Sequence, residues 1–309
     1  MRVAVYLPLL FSGALALLSP FVARRLPPAV ATRVLSAASG LSALASSWGL
    51  ILLAISAAGW LPELPERAHI SRVAWTSRDP APLWAGVLAV LTLLVGLTRL
   101  AIVHSRHRIE SRAAAAVCGR SADTELVVLD DDRPRAFAVP GRDSGRIVVS
   151  AGMLRLLSTW ERRVLFAHER AHLTWRHHRY RRLTAVAAAI NPLLCRVRDD
   201  VAFTCERWAD EEAGRSVGDR VLAARALARA AIATLAEPGP ALAFARLNVE
   251  HRVAALQRPA PGRGPALMFS CVVVAVSAWA ASGEATFAFA RFLASVVPAV
   301  RDVARATGW

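Results

Sequence analysis

Long apolar runs dominate the first third of the chain and return near its end. They cover residues 3–22, 37–61 and 83–103, and a fourth run covers residues 266–282. A helix needs about 20 residues to cross a hydrocarbon core of about 30 Å. Charged and polar residues separate the runs. The pattern therefore predicts about four transmembrane helices.

Between the third and fourth runs, polar and apolar residues alternate or repeat with the helical period. This pattern is typical of a globular domain with helices and some strands. We therefore predict a mainly α membrane protein with an inserted α+β domain. Residues 1–103 form a membrane domain with three spans, and residues 104–264 form the globular domain. Residues 265–309 form the fourth span and a C-terminal tail.

Three segments leave alternatives open. The start of the chain has features of a cleaved signal peptide, but the closely following spans favour an uncleaved first span. Residues 185–194 are too short to span and end near Pro192, so at most a re-entrant or interfacial contact is expected. The tail from Glu284 repeats apolar residues at helical spacing, which predicts an amphipathic interfacial helix. A fifth span is the less favoured alternative there.

The formal charge of +15 comes entirely from arginine, because the chain contains no lysine. No zinc-finger, helix-turn-helix or RNA-binding signature accompanies the arginines, so no nucleic-acid partner is expected. Arginines cluster after the first span and after the third. The positive-inside rule then places the N-terminus outside and the globular domain in the cytoplasm of a multi-pass protein, with lipid headgroups as partners. Arginines in the second loop weaken this orientation.

A candidate metal site lies in the globular domain. Residues His168, Glu169 and His172 form an HExxH motif in a segment with helical character. Side chains four apart share one face of a helix, so both imidazoles can reach one ion. Glu169 is rotated away from His168 and is predicted to be the general base. The competing interpretation is a surface helix with solvated histidines.

A third ligand is available downstream. Glu206 and Asp210 are also four apart on a predicted helix. A catalytic zinc needs three protein ligands and one open position. We therefore predict Zn²⁺ held by His168, His172 and Glu206, while Asp210 accepts a hydrogen bond from a ligand histidine. The four cysteines contain no CxxC pair, which argues against a cysteine site. The competing interpretation of Glu206 is an ordinary acidic residue near the start of a helix.

With these residues the chain resembles the BlaR/MecR-type membrane zinc peptidases and, more distantly, the HtpX-type quality-control peptidases. The resemblance includes the three early spans and several segments: residues 134–141 (PRAFAVPG), 146–154 (RIVVSAGML), 168–172 (HERAH), 191–192 (NP) and 206–210 (ERWAD). It implies a cytoplasmic gluzincin-like zinc peptidase domain that cuts a regulatory protein. It also implies that substrate lies extended along an edge strand, here at Ile147, Val148 and Val149. The alternative interpretation of this segment is a buried structural strand, and the two are not exclusive.

The chain departs from the β-lactam-sensing members of this group. Without lysine it has no Ser-x-x-Lys acylation motif, so acylation through that motif is not expected. The activating signal would then arrive through the spans, the tail or a partner.

Other polar residues near the predicted site remain open. Arg246, His251 and Arg252 follow the domain's last helical run and are candidates to stabilise an oxyanion. A solvated basic helix end explains them equally well. His177 and His178 lie close to the motif in sequence, and we assign a role to neither.

The predicted function is a membrane-bound zinc endopeptidase that cleaves a regulatory protein, with a transcriptional regulator as the expected substrate. One alternative is a broad quality-control peptidase for membrane proteins. The other is a non-catalytic scaffold or metal sensor, which would have no need for Glu169. The small residues of the second run permit self-association but do not require it.

Overall fold

The computed structural model describes residues 4–58, 60, 75, 81–118, 124–141, 145–234, 242–258 and 265–296. The helices are α1 (Leu7–Arg25), α2 (Pro28–Ala58), α3 (Leu83–Cys118), α4 (Ala151–Leu156), α5 (Thr159–Thr174), α6 (His177–Ile190), α7 (Cys195–Val217), α8 (Arg220–Thr234), α9 (Leu242–Gln257) and α10 (Pro265–Val296). The strands are β1 (Leu126–Leu129), β2 (Ala136–Val139) and β3 (Arg146–Ser150), and a 3-10 turn covers Pro192–Leu194.

Four of the helices, α1, α2, α3 and α10, are long and apolar enough to cross a membrane. Large apolar side chains on their outer faces are exposed, including Leu91 and Leu94 on α3 and Phe269 and Val276 on α10. Soluble monomers rarely expose contiguous apolar surface of this extent. A mostly helical, multi-pass membrane protein explains both the length of these helices and their exposed faces.

The C-terminal tail differs from the prediction of a separate interfacial helix. Helix α10 continues without a break from the fourth apolar run through Glu284 to Val296. Phe289 and Phe292 on the tail's apolar stripe are buried against Leu50 and its neighbours instead of facing outward. The stripe therefore packs on the protein's own helices. Residues 297–309 lie outside the described residues.

The three-stranded sheet places β3 in its centre, in the order β1-β3-β2. β1 pairs with β3 in parallel and β2 pairs with β3 antiparallel. The prediction that Ile147, Val148 and Val149 form an edge strand is therefore wrong. These three side chains are almost fully buried, because both sides of their strand are paired and the sheet packs on its neighbours. The edge strand beside helix α5 is β2.

Helices α6 and α7 pack directly against the membrane helices. Leu194, Val197 and Val201 share one buried cluster with Leu15 and Leu35 from α1 and α2. At the end of α6, the side-chain amide of Asn191 donates to Ser12 Oγ (2.9 Å) and Ser46 Oγ (3.0 Å). The segment at residues 185–194 thus ends between two apolar helices. The proposed division at residue 103 stays a prediction, and α3 itself runs past that point.

The small residues of the second apolar run, which lie on α2, pack against other parts of the same chain. Ser42, Ala45 and Ser46 are buried, and a Cβ on Gly49 would lie 2.7 Å from the Val5 carbonyl oxygen. Ser282 of α10 also donates to the Ala45 carbonyl. Close helix packing is the use that small residues have in membranes. This face of α2 is covered by the protein's own helices, so self-association would need another surface.

Candidate metal centre

The helix that carries the HExxH motif is α5, and its start is firmly defined. Ser158 caps the helix: its side chain accepts from the Glu161 amide, and the Glu161 carboxylate accepts from the Ser158 amide. Such a capping box satisfies two amides that lack helical partners. The helix then runs unbroken to Thr174. His168 and His172, four residues apart, consequently point from the same face.

Helix α7 crosses α5 and brings the third donor to that face. His168 Nε2 lies 3.1 Å from His172 Nε2 and 3.5 Å from Glu206 Oε2, and His172 Nε2 lies 3.7 Å from Glu206 Oε1. Ligand atoms about 2.0–2.1 Å from a tetrahedral zinc are about 3.3 Å apart. The three side chains offer donor atoms within 4.8 Å of one another. The spacing and the donor types fit a divalent metal ion such as zinc.

Asp210 contacts the first of the three donors, His168. Its Oδ1 lies 3.0 Å from His168 Nδ1, on the side of the ring away from Glu206 and His172. Arg252 of α9 holds the same carboxylate with two hydrogen bonds, Nε to Oδ2 (2.7 Å) and Nη2 to Oδ1 (2.8 Å). A proton on Nδ1 leaves Nε2 free to bind a metal. Asp210 therefore makes the contact with a histidine donor that was predicted from its position four residues after Glu206.

The second donor, His172, also has a partner on its other ring nitrogen, and the sequence analysis assigned no role to that partner. His177 Nδ1 lies 2.9 Å from His172 Nδ1. His177 is the first residue of α6 and is 1% exposed. A separation of five residues does not place two side chains together on one helix, so the motif alone gave no signal. His178, the next residue, has no contact with the three donors among the described residues.

The charges of the site favour a cation between the donors. Burial acts to lower the pKa of His168, but hydrogen bonds to Asp210 and Glu206 raise it to about 10. Burial acts to raise the pKa of Glu206, but the hydrogen bond from His168 and the charge of Arg252 hold it well below its usual range. Burial lowers the pKa of His172 to about 4 and that of His177 to about 3. Glu206 is therefore charged, and His172 and His177 are neutral, at pH 7.

Glu169 is buried beside the donors. Burial raises the pKa of its carboxyl group, while the positive charge of His168 and a hydrogen bond from the Ala138 amide oppose that shift. A general base works best when its pKa lies near the operating pH, so a raised pKa suits this role. The Ala138 amide belongs to the edge strand β2, which therefore lies beside the predicted base.

A cavity of about 220 Å³ opens beside the three donors. Its polar end is formed by His168, Glu169, Glu206, Asp210 and Arg252. Its other walls are small and apolar, with Ala223, Ala226, Ala230 and Ala231 on α8 and Leu157 and Leu165 opposite. Pockets for drug-sized ligands usually measure about 300–1,000 Å³. This smaller cavity is large enough for one amino-acid side chain beside the three donors.

The candidate oxyanion stabilisers Arg252 and His251 line two different cavities. Arg252 lines the cavity, but its guanidinium is bound to Asp210, and its Nη1 lies 3.4 Å from Glu206 Oε2. His251 lines a second cavity with Arg24 and Asp200, away from the donors. The side chain of Arg246 lies outside the described residues. The role of these residues toward an oxyanion stays a prediction.

The comparison with known families agrees with this geometry. Residues 103–203 match the model of Peptidase family M48. The match supports the M48 metallopeptidase family. It includes the HExxH motif and β3 but ends before Glu206, so the third donor rests on the structure. The M48 match does not confirm the BlaR/MecR-type subfamily. No curated protein and no solved structure matches the chain.

Proposed function

We propose that the chain is a membrane-bound zinc endopeptidase that cleaves a regulatory protein, with a transcriptional regulator as the expected substrate. The observation that carries the proposal is the set of three donors from His168, His172 and Glu206, with Glu169 buried beside them. A scaffold has no use for a buried carboxylate beside a metal site. The M48 match supports the metallopeptidase chemistry.

His168, His172 and Glu206 would hold the zinc. When bound, zinc polarises a carbonyl oxygen and makes water acidic enough to lose a proton near neutral pH. Glu169 accepts that proton and passes it to the leaving amine. Asp210, itself held by Arg252, keeps His168 in the tautomer whose Nε2 faces the donors. Attack of water on the carbonyl carbon then breaks the peptide bond.

The substrate is proposed to bind as an extended segment along β2. The Ala138 amide of this edge strand lies at Glu169, and main-chain hydrogen bonds to an edge strand hold a peptide without reading its sequence. The cavity lined by alanines on α8 then takes one apolar substrate side chain. Burying a large apolar side chain contributes about 1.5–3 kcal/mol, which is enough for a clear preference.

Filling this cavity should change substrate preference. Ala230→Leu places a larger side chain in the apolar wall, so we expect cleavage of peptides with a large apolar residue at that position to fall about 10-fold or more. Peptides with alanine there should be affected much less. The measurement is kcat/KM for a matched peptide pair. Ala228→Leu, on the same helix but not lining the cavity, is the control. Equal losses for both peptides would contradict the assigned pocket.

The proposed orientation places the N-terminus outside and the peptidase domain in the cytoplasm. The arginine-rich turn between α1 and α2 contacts the domain, because Arg207 Nη1 donates to the Ala23 carbonyl (2.5 Å) and Thr32 donates to Thr204 (2.9 Å). The turn therefore lies close to the domain. The positive-inside rule assigns an arginine-rich turn to the cytoplasm, and the domain is proposed to lie on the same side.

The experiment that tests the proposal compares new protein N-termini in cells that express the wild type or Glu169→Gln at equal levels. One or a few termini that require Glu169 would support cleavage of a regulator and name the substrate. Many such termini from membrane proteins would favour quality control. Identical termini under several stress conditions would contradict a peptidase and favour a scaffold or sensor.

A further inference from the structure

We propose that His177 is a positioning residue: its Nδ1 accepts a hydrogen bond from Nδ1–H of His172 and so holds that ligand's Nε2 toward the metal. The proposal rests on the zinc site of the proposed function. It adds a residue that the HExxH motif does not contain. The two nitrogens are 2.9 Å apart, a normal length for a hydrogen bond between rings.

The chain bends sharply to make this contact. Arg176, between α5 and α6, has φ = 51° and is the one non-glycine residue with positive φ among the described residues. A non-glycine residue in this left-handed conformation is strained. The turn separates the end of α5 at Thr174 from the start of α6 at His177 and leaves the His177 ring against that of His172. Strain that persists at a site suggests that the contact it produces has a use.

Packing against α7 keeps the His177 ring in place. Its centroid lies 4.9 Å from the ring of Trp208 and 4.8 Å from the ring of His172. Trp208 is 2% exposed and lies between Glu206 and Asp210 in the sequence of α7. The guanidinium carbon of Arg33, on α2, is 4.7 Å from the Trp208 ring centroid. A packed series therefore runs from a membrane helix through Trp208 and His177 to the ligand His172.

The hydrogen-bonding chemistry indicates which way the bond runs. A metal ion on Nε2 of His172 leaves the proton on Nδ1, which becomes a donor. His177 must then accept with Nδ1 and carry its own proton on Nε2, and this atom has no partner among the described residues. Histidine ligands usually donate their second nitrogen to such an acceptor. Asp210 has this role for His168, and His177 supplies the corresponding contact for His172.

The test compares zinc affinity, measured by chelator competition, for the purified full-length protein and three variants. His177→Phe keeps an aromatic ring against Trp208 but removes the acceptor, and we expect zinc to bind about 10–100-fold more weakly. His177→Asn loses the ring but returns an amide oxygen near the position of Nδ1. It should recover most of the affinity. His178→Phe changes the neighbouring histidine and should bind zinc like the wild type.

The outcomes separate this inference from the proposed function. Wild-type affinity in His177→Phe would overturn the positioning role while leaving the peptidase intact. Equal losses in the Phe and Asn variants would also overturn it, because a restored acceptor would then fail to restore zinc affinity. A wild type that binds no zinc would instead contradict the proposed function. Thermal unfolding of each metal-free variant shows whether a loss of zinc affinity comes from misfolding. If His177→Phe misfolds, the zinc affinity of His177→Asn tests the proposal in its place.

Discussion

In the Glu169→Gln protein we expect peptide cleavage to fall at least about 100-fold, with zinc content unchanged. The amide cannot accept a proton from water, and the carboxylate it replaces is buried next to the three donors without being one of them. The measurements are kcat on a defined peptide and zinc per chain in the purified protein. Loss of cleavage with metal retained is the signature of a missing base.

Glu110→Gln is the matched control for this variant. Glu110 lies on the exposed surface of α3 and undergoes the same chemical change. It should cleave at the wild-type rate. If Glu169→Gln also lost its zinc, the change would have disturbed the ligands, and the general-base assignment would need another test. Wild-type cleavage in Glu169→Gln would reject that assignment.

Asp210→Ala should be the most destabilising single change at the site. Asp210 is 5% exposed and holds the guanidinium of Arg252, whose side chain is 12% exposed. Removing one partner of a buried ion pair leaves the other charged and unpaired, which costs about 3–5 kcal/mol. Zinc affinity should fall as well, because His168 loses the acceptor that fixes its tautomer. Unfolding in detergent, followed by circular dichroism against denaturant, measures the first effect.

Asp219→Ala is the reference variant for that change in the free energy of unfolding. Asp219 caps α8 through a hydrogen bond from the Leu222 amide (2.9 Å) and is exposed. Loss of such a cap costs about 0.5–2 kcal/mol. A destabilisation of Asp210→Ala no larger than that of Asp219→Ala would show that the pair with Arg252 contributes little.

The stability gained from Asp210 also depends on pH. Hydrogen bonds and charge from Arg252 and His168 outweigh burial and lower the Asp210 pKa in the folded protein. A lowered pKa stabilises the fold at pH values above the unfolded pKa of about 3.9. This contribution disappears as the pH falls through the folded value. The difference between wild type and Asp210→Ala should therefore be constant near neutral pH and shrink in acid.

Local patterns determined much of this protein. The four long apolar helices follow from the composition of successive segments, because the length needed to cross a bilayer is fixed. The pairs His168 with His172 and Glu206 with Asp210 follow from helical periodicity. Both features depend on residues close in sequence, so their prediction needed no knowledge of the fold. The candidate ligand set could thus be predicted before any long-range contact was known.

Only the tertiary structure decided the contacts between distant or bent segments. β3 is central because β1 and β2 pair on its two sides, and strand order depends on long-range pairing that composition does not encode. The stripe of Phe289 and Phe292 faces inward because α10 continues and packs on other helices. His177 contacts His172 across Arg176, whose left-handed conformation no sequence motif predicts. Periodicity fixes which side chains share a face, while the path of the chain decides what that face meets.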